Sequence, residues 1–132
     1  MRISTYDITV RGYHLDLYKH VNNARYLEFL EEGRWDFGAD KIGKGYLEKR
    51  NLGLVVVNVN ISYRYPATLH DVLEIRTWID NVGSRSYSYK QEIYLKGTEK
   101  LVLDAKVVVV VIDWEKNKAV YIDDELRDFL VN

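Results

Sequence analysis

From Tyr13 to Tyr26 the chain reads Tyr-His-Leu-Asp-Leu-Tyr-Lys-His-Val-Asn-Asn-Ala-Arg-Tyr, crowding His14, Asp16, His20, Asn22 and Asn23 into one polar stretch. From Asn22 onward the pattern changes: Tyr26, Phe29, Leu30, Gly33 and Phe37 recur at three- and four-residue steps, the stripe of an amphipathic helix. The polar stretch therefore ends at a helix N-terminus, where unpaired N–H groups and partial positive charge can stabilise a developing oxyanion. A carboxylate held nearby, such as Asp16, could act as general base on water or attack a carbonyl itself. Both parts needed to hydrolyse an activated acyl group would then meet at one loop–helix junction. A plainer reading stands beside it: Asp16 caps a turn, His20 is a loop histidine and Asn22-Asn23 starts the helix. Spacing alone does not separate the two.

Other chemistries find less support. The absence of cysteine excludes a disulfide framework, a zinc-thiolate site and a cysteine nucleophile. No Gly-x-Ser-x-Gly elbow exists, and Gly83-Ser84-Arg85-Ser86 does not supply one. No phosphate-loop or dinucleotide glycine pattern appears. His14 and Asp16 are joined only by His20 and His70 as further imidazoles, without metal-ligand spacing, so neither metal nor cofactor is expected. With 19 Lys and Arg against 20 Asp and Glu, a net charge of −1 gives no broad attraction to nucleic acid or an anionic membrane. The opening Met1 to Tyr6 lacks an apolar stretch, and the longest apolar run, Val107 to Ile112, is too short to cross a bilayer. The expectation is a cytoplasmic protein.

The elements that must position these residues follow from the rest of the chain. Its 132 residues, 47% hydrophobic and 30% charged, suit one globular domain over residues 1–132. Tyr6 to Tyr13 alternates as a first strand. Gly33 in the apolar helix stripe costs about 1 kcal/mol of helix propensity, which close approach to a sheet would explain. Gly38, Gly43 and Gly45 end the helix and open a loop. Four long strands are expected: Leu52 to Tyr65, Val72 to Asp80, Arg85 to Leu95 and Leu101 to Trp114. In the first of these, Val55, Val57, Val59, Ile61, Tyr63 and Tyr65 would share one face. The last is apolar on both sides from Val107 to Ile112, as a central strand covered on both faces would be. Asp123-Asp124 could cap a short terminal helix through Leu126, Phe129 and Leu130. Tight turns make such strands antiparallel, and the simplest packing curls them around the one long helix, an α+β domain. One helix covers one face of the sheet, so the apolar second face suggests an oligomer.

The strings Val10 to Asp16 and His20 to Glu32 resemble the hot-dog-fold acyl-CoA thioesterases of the 4-hydroxybenzoyl-CoA thioesterase-like branch. Within that branch the chain is most similar to the bacterial long-chain acyl-CoA thioesterase III group. The similarity extends to Val55 to Arg64, Pro66-Ala67 and Glu125-Leu126-Arg127, and so spans the chain from Val10 onward. It implies a hot-dog fold, a curved antiparallel five-stranded sheet wrapped around one long central helix. It also implies dimers that join two sheets, commonly paired into homotetramers, with an active site at a subunit interface. Asp16 matches the family's catalytic carboxylate, Asn23 the backbone N–H of its oxyanion hole, and His20 its loop histidine. Relatives often carry Gly just before that histidine; here Lys19 stands instead.

Fatty acyl-CoA of medium to long chain is then the expected substrate. A thioester suits so spare a site, because its leaving thiolate, with a conjugate pKa near ~8.5, departs without a strong general acid. Arg64, Arg85 and Ser86 are candidates for CoA contacts, and Tyr26, with Phe29 and Leu30, for the acyl tunnel. The rival readings are a hot-dog enoyl-thioester hydratase or dehydratase, and a non-catalytic acyl-binding oligomer.

Overall fold

The computed structural model describes residues 1–132. Its elements run β1 (Ser4–Thr9), α1 (Asn23–Phe37), α2 (Tyr46–Lys49), β2 (Leu52–Tyr63), β3 (Val72–Val82), β4 (Ser86–Leu95), β5 (Leu101–Asp113), β6 (Lys118–Ala119) and α3 (Asp124–Val131). All strand pairs are antiparallel, in the order β1-β3-β4-β5-β2, with β6 hydrogen-bonded to the end of β5. The five expected strands are present, and β6 adds a two-residue return that propensity is too weak to announce. No helix is long and apolar enough to cross a membrane. The first strand stops at Thr9 rather than Tyr13, because Gly12–His14 winds into a single 3-10 turn.

The helix forms where its signals lie. Asn22 is the N-cap, its Oδ1 accepting the Ala24 N–H at 2.9 Å, and the Gly38 N–H closes the last turn on Arg34 O at 3.1 Å. Tyr26, Phe29, Leu30, Gly33 and Phe37 are its buried residues, the stripe read from the sequence. Gly33 is needed for close approach: a Cβ there would lie 2.7 Å from Ile75 Cγ2 and 2.8 Å from Thr77 Oγ1. Beside it Gln91, fully buried, donates from Nε2 to Leu30 O and Thr77 Oγ1, each at 2.9 Å, and accepts from Arg34 Nη1 at 3.1 Å. This polar seam lies between two apolar clusters. One gathers Tyr26, Phe29 and Leu30 with Leu73, Ile75 and Leu103; the other gathers Phe37 with Tyr87, Val107, Val109 and α3's Leu126 and Leu130.

Along β2 the expected single face is broken. Val56 pairs with Val109 and Asn58 with Val108, so Val57 is bulged out of register. Since side chains alternate, Leu54 and Val56 face α1 before the bulge, and Val59, Ile61 and Tyr63 after it. Val55 opposes Val110 and belongs to the outer face, contrary to the simple alternation. A run of three valines carries no mark of the extra residue. In β5, Val107, Val109 and Val111 are buried toward the helices, while Val108, Val110 and Ile112 are only partly covered on the outer face. The strand order leaves β2 with an unpaired edge, where Val56 and Val57 are 43% and 55% exposed.

Candidate active site

The stretch from His14 to Asn22 folds into a small hook. The Asn22 N–H donates to His14 O and the Asp16 N–H to His20 O, both at 2.8 Å, with Leu15 paired opposite Val21. Asp16 occupies the bend and is half-buried; its Oδ1 accepts the Tyr18 N–H at 2.8 Å and the His20 N–H at 3.3 Å. Oδ2 makes no hydrogen bond within the chain, so one carboxylate oxygen holds the loop and the other is free. Lys19 sits at φ 64°, the left-handed region that Gly enters without penalty and that costs an L-residue about 1–2 kcal/mol. The β2–β3 connection braces it. Thr68 Oγ1 donates to Lys19 O at 2.9 Å, His20 pairs with Thr68, and the Val21 N–H donates to Ala67 O at 2.9 Å. The hook thus keeps its left-handed bend with lysine in place of glycine.

At the head of α1, Asn22 Oδ1 takes the Ala24 N–H and Asn22 O takes the Arg25 N–H, leaving the Asn23 N–H without an acceptor in the chain. The first turn carries no acidic side chain to offset its positive end. Arg25 stands there instead, paired with Glu28 at 2.9 Å. Asp16 and Asn23 line the same cleft, of about 370 Å³, with Tyr26, Tyr63 and Arg64. Tyr63 Oη donates to Asn23 O at 3.1 Å, so the end of β2 grips the first turn of the helix. The buried Tyr26 hydroxyl accepts the Ala67 N–H at 3.3 Å. Burial raises its pKa above the usual range, outweighing the opposite pull of that bond, so it keeps a proton to donate. Arg64 is already ion-paired with Asp104 on β5.

The other residues singled out from the sequence lie apart. His20 contributes its backbone to the hook, while its exposed side chain makes no hydrogen bond and does not line the cleft. Leu30 is sealed in the core, and Phe29, also buried, lines a separate cavity beside β1 and His14 rather than the cleft that holds Asp16. Ser86 pairs with Val110 of β5 while Tyr63 pairs with Leu103, seven positions away, or about 23 Å along the strand. Arg85 and Ser86 therefore stand at the far end of the sheet from Asp16. Tyr63 and Tyr65 line the cleft, although the sequence reading placed them only on a strand face and, for Tyr63, in the stretch that carries the family resemblance. The signal for both was the aromatic run into Arg64 and Pro66.

A second cavity, of about 280 Å³, opens farther along α1 between Arg34, Trp35, Leu54, Val56, Tyr87 and Tyr89. Tyr87 Oη is buried there without a hydrogen-bond partner. Burial pushes the Arg34 guanidinium below its usual range, against the opposing pull of Tyr89 and Glu31. The first cleft joins the start of α1 to the end of β2 and the second joins the end of α1 to the start of β2, while Leu27 and Val59, at intervening positions of the two elements, are exposed. From Asn23 to Arg34 the helix rises about 17 Å. No group of three or more His, Cys, Asp or Glu is placed to hold a metal ion.

Comparison with known proteins agrees over nearly all of the chain. The model of the Thioesterase-like superfamily matches residues 10–130. The long-chain acyl-CoA thioesterase FadM of Escherichia coli is 46% identical over 123 residues, covering 93% of each protein. The crystal structure of YbaW, a "Probable Thioesterase" from Escherichia coli, superposes with a TM-score of 0.90 at 44% identity, over 96% of this chain and 95% of that one. A 1,4-dihydroxy-2-naphthoyl-CoA thioesterase from Synechocystis shares the fold at a TM-score of 0.85 and 17% identity, over 98% of this chain and 96% of that one. With a matched family model, a close relative and the curled sheet around α1 in agreement, the chain belongs to the hot-dog thioesterase-like superfamily.

Proposed function

We propose that the protein hydrolyses medium- to long-chain fatty acyl-CoA to free acid and CoA, with Asp16 as base or nucleophile and the Asn23 N–H as oxyanion donor. The observation that carries this reading is the pairing, in one cleft, of a carboxylate with a free oxygen and a helix-terminal N–H with no acceptor. A thioester carbonyl set between them has its oxygen on the positive end of α1 and its carbon open to Asp16 Oδ2, or to water that Asp16 activates. As the tetrahedral centre forms, charge develops on the oxygen where the N–H already points, so no reorganisation is required. The thiolate then leaves without needing an acid. The Tyr26 hydroxyl is a further donor in the cleft.

The acyl chain runs between α1 and β2, past the exposed Leu27 and Val59, toward the apolar cavity at Leu54 and Val56. About 17 Å of helix separates that cavity from the carbonyl, a reach that suits a long chain better than a short one. The relative FadM, named for long-chain acyl-CoA, supports the same preference. CoA contacts are assigned to Arg64 at the cleft and to Arg85 and Ser86, the latter two from a second copy, since they lie about 23 Å away in their own chain. The free, apolar edge of β2 is the surface on which such a copy would join to form a dimer, and the partly covered valines outside β5 would join dimers into a tetramer.

Thiol release with a chromogenic disulfide, measured across a panel of acyl-CoA lengths, tests the reading. The expected result is steady release with kcat/KM rising from short to long chains. Hydration of an enoyl-CoA without thiol release would move the protein to the hydratases, and acyl-CoA binding without turnover would make it a binding module. Single turnover in oxygen-18 water separates the two routes, because label entering the Asp16 carboxylate eliminates pure general-base catalysis.

A further inference from the structure

We infer that His14 is a positioning residue for the reaction: its neutral ring holds the Asp16 hook against α1, and hydrolysis slows when that ring is protonated or removed. The inference rests on the role given to Asp16 above. Three contacts meet at this one residue. Its Nδ1 accepts the Arg11 N–H at 2.9 Å while its own N–H donates to Arg11 O at 3.0 Å, closing the turn that leads into the hook. Its ring stands edge-on to Phe29, with centroids 4.9 Å apart at 87°, and Phe29 is buried in the core. Its carbonyl accepts the N–H of Asn22, the residue that caps α1. The turn, the body of the helix and the helix cap are tied together two residues before Asp16.

Only a neutral imidazole can accept at Nδ1, with its proton on Nε2. Protonation places an N–H opposite the Arg11 N–H, donor against donor, and the turn is driven apart. The groups facing His14 are Arg11 in its own turn, Arg25, Glu28 and Glu32 on α1, Tyr6 and Asp7 on β1, and the neighbouring Tyr13. Burial first, then Arg25 and Arg11, lower its pKa below the usual 6.5, against the opposite pull of Glu28. The accepting form therefore prevails at neutral pH, and the protonated fraction grows as the pH falls below that range.

The test compares wild type, His14→Ala, His14→Asn and Asp16→Ala in acyl-CoA hydrolysis from acid to neutral pH. Asn places Oδ1 where histidine has Nδ1 but does not titrate. His14→Ala is expected to lower kcat about tenfold with KM little changed, the scale of one lost hydrogen bond. His14→Asn is expected to restore most of kcat and to move the fall in rate to lower pH than in wild type, leaving only the fall that protonation of the base brings. If His14→Ala does not fold, the pH profile of His14→Asn decides alone. An acidic limb in His14→Asn that coincides with the wild-type one overturns the inference, as does wild-type kcat in His14→Ala while Asp16→Ala is inactive. Full activity in Asp16→Ala would instead overturn the hydrolytic reading itself.

Discussion

At its first turn α1 leaves the Asn23 N–H without an acceptor and offers no carboxylate of its own to the positive end. Ten residues on, at Gly33, the same helix lies so close to the sheet that a methyl group would sit 2.7 Å from Ile75. There Gln91, itself fully buried, satisfies Leu30 O, Thr77 and Arg34 at once. The contrast is between finished and unfinished hydrogen bonding. The finished turn fixes where the helix lies, since any shift would break buried bonds that water cannot replace. The unfinished turn can be held open because the anchoring is done elsewhere. In the proposed reaction its free donor is then available to charge that appears only as the tetrahedral centre forms.

If the two ends of α1 divide the work in this way, substitutions should separate activity from stability. Asp16→Ala should lower kcat/KM by at least ~100-fold, or about 2.7 kcal/mol, with a smaller stability loss of about 1 kcal/mol as the Tyr18 and His20 N–H groups lose their acceptor. Asp16→Asn, which keeps an oxygen for the Tyr18 and His20 N–H groups, should lose as much. A retained rate in either would assign the base elsewhere. Gly33→Val should do the reverse, destabilising the fold by about 1–3 kcal/mol in denaturant unfolding as helix and sheet are forced apart. An unchanged midpoint would mean the helix is free to shift. The smallest effect belongs to the bend itself. Lys19→Gly relieves a left-handed φ at the cost of a freer unfolded chain, so stability should rise by ~1 kcal/mol at most. A large loss would show that the lysine side chain, and not backbone geometry, holds the hook.

The middle of α1 was the more legible region. Its buried stripe, its Asn cap and the close approach at Gly33 all follow from residue spacing, because helix periodicity and glycine's missing Cβ are local facts. Strand identities were equally plain. What spacing could not show was departure from regularity: the bulge at Val57 reverses the facing of Val55, and three successive valines look alike in either register. At the site, Asp16 and Asn23 were readable as a carboxylate beside a helix start. Which of the two histidines supports them was not. His20 carries the family pattern, yet its side chain is exposed and makes no hydrogen bond, while His14 makes its contacts through a 3-10 turn that the sequence hid within an alternating strand. The separation of Arg85 and Ser86 from the cleft was likewise invisible, being set by how β4 and β2 register on opposite edges of β5.

The central claim, that a backbone N–H at the head of α1 receives the reacting oxygen, can be tested by deleting that hydrogen and little else. Proline is favoured at the first helical position, and Asn22 already has the extended backbone that a following proline requires. Asn23→Pro should therefore fold with wild-type stability and lower kcat for long-chain acyl-CoA by about 10²–10³-fold, the loss expected for one oxyanion donor. A well-folded Asn23→Pro protein with wild-type kcat would contradict the account.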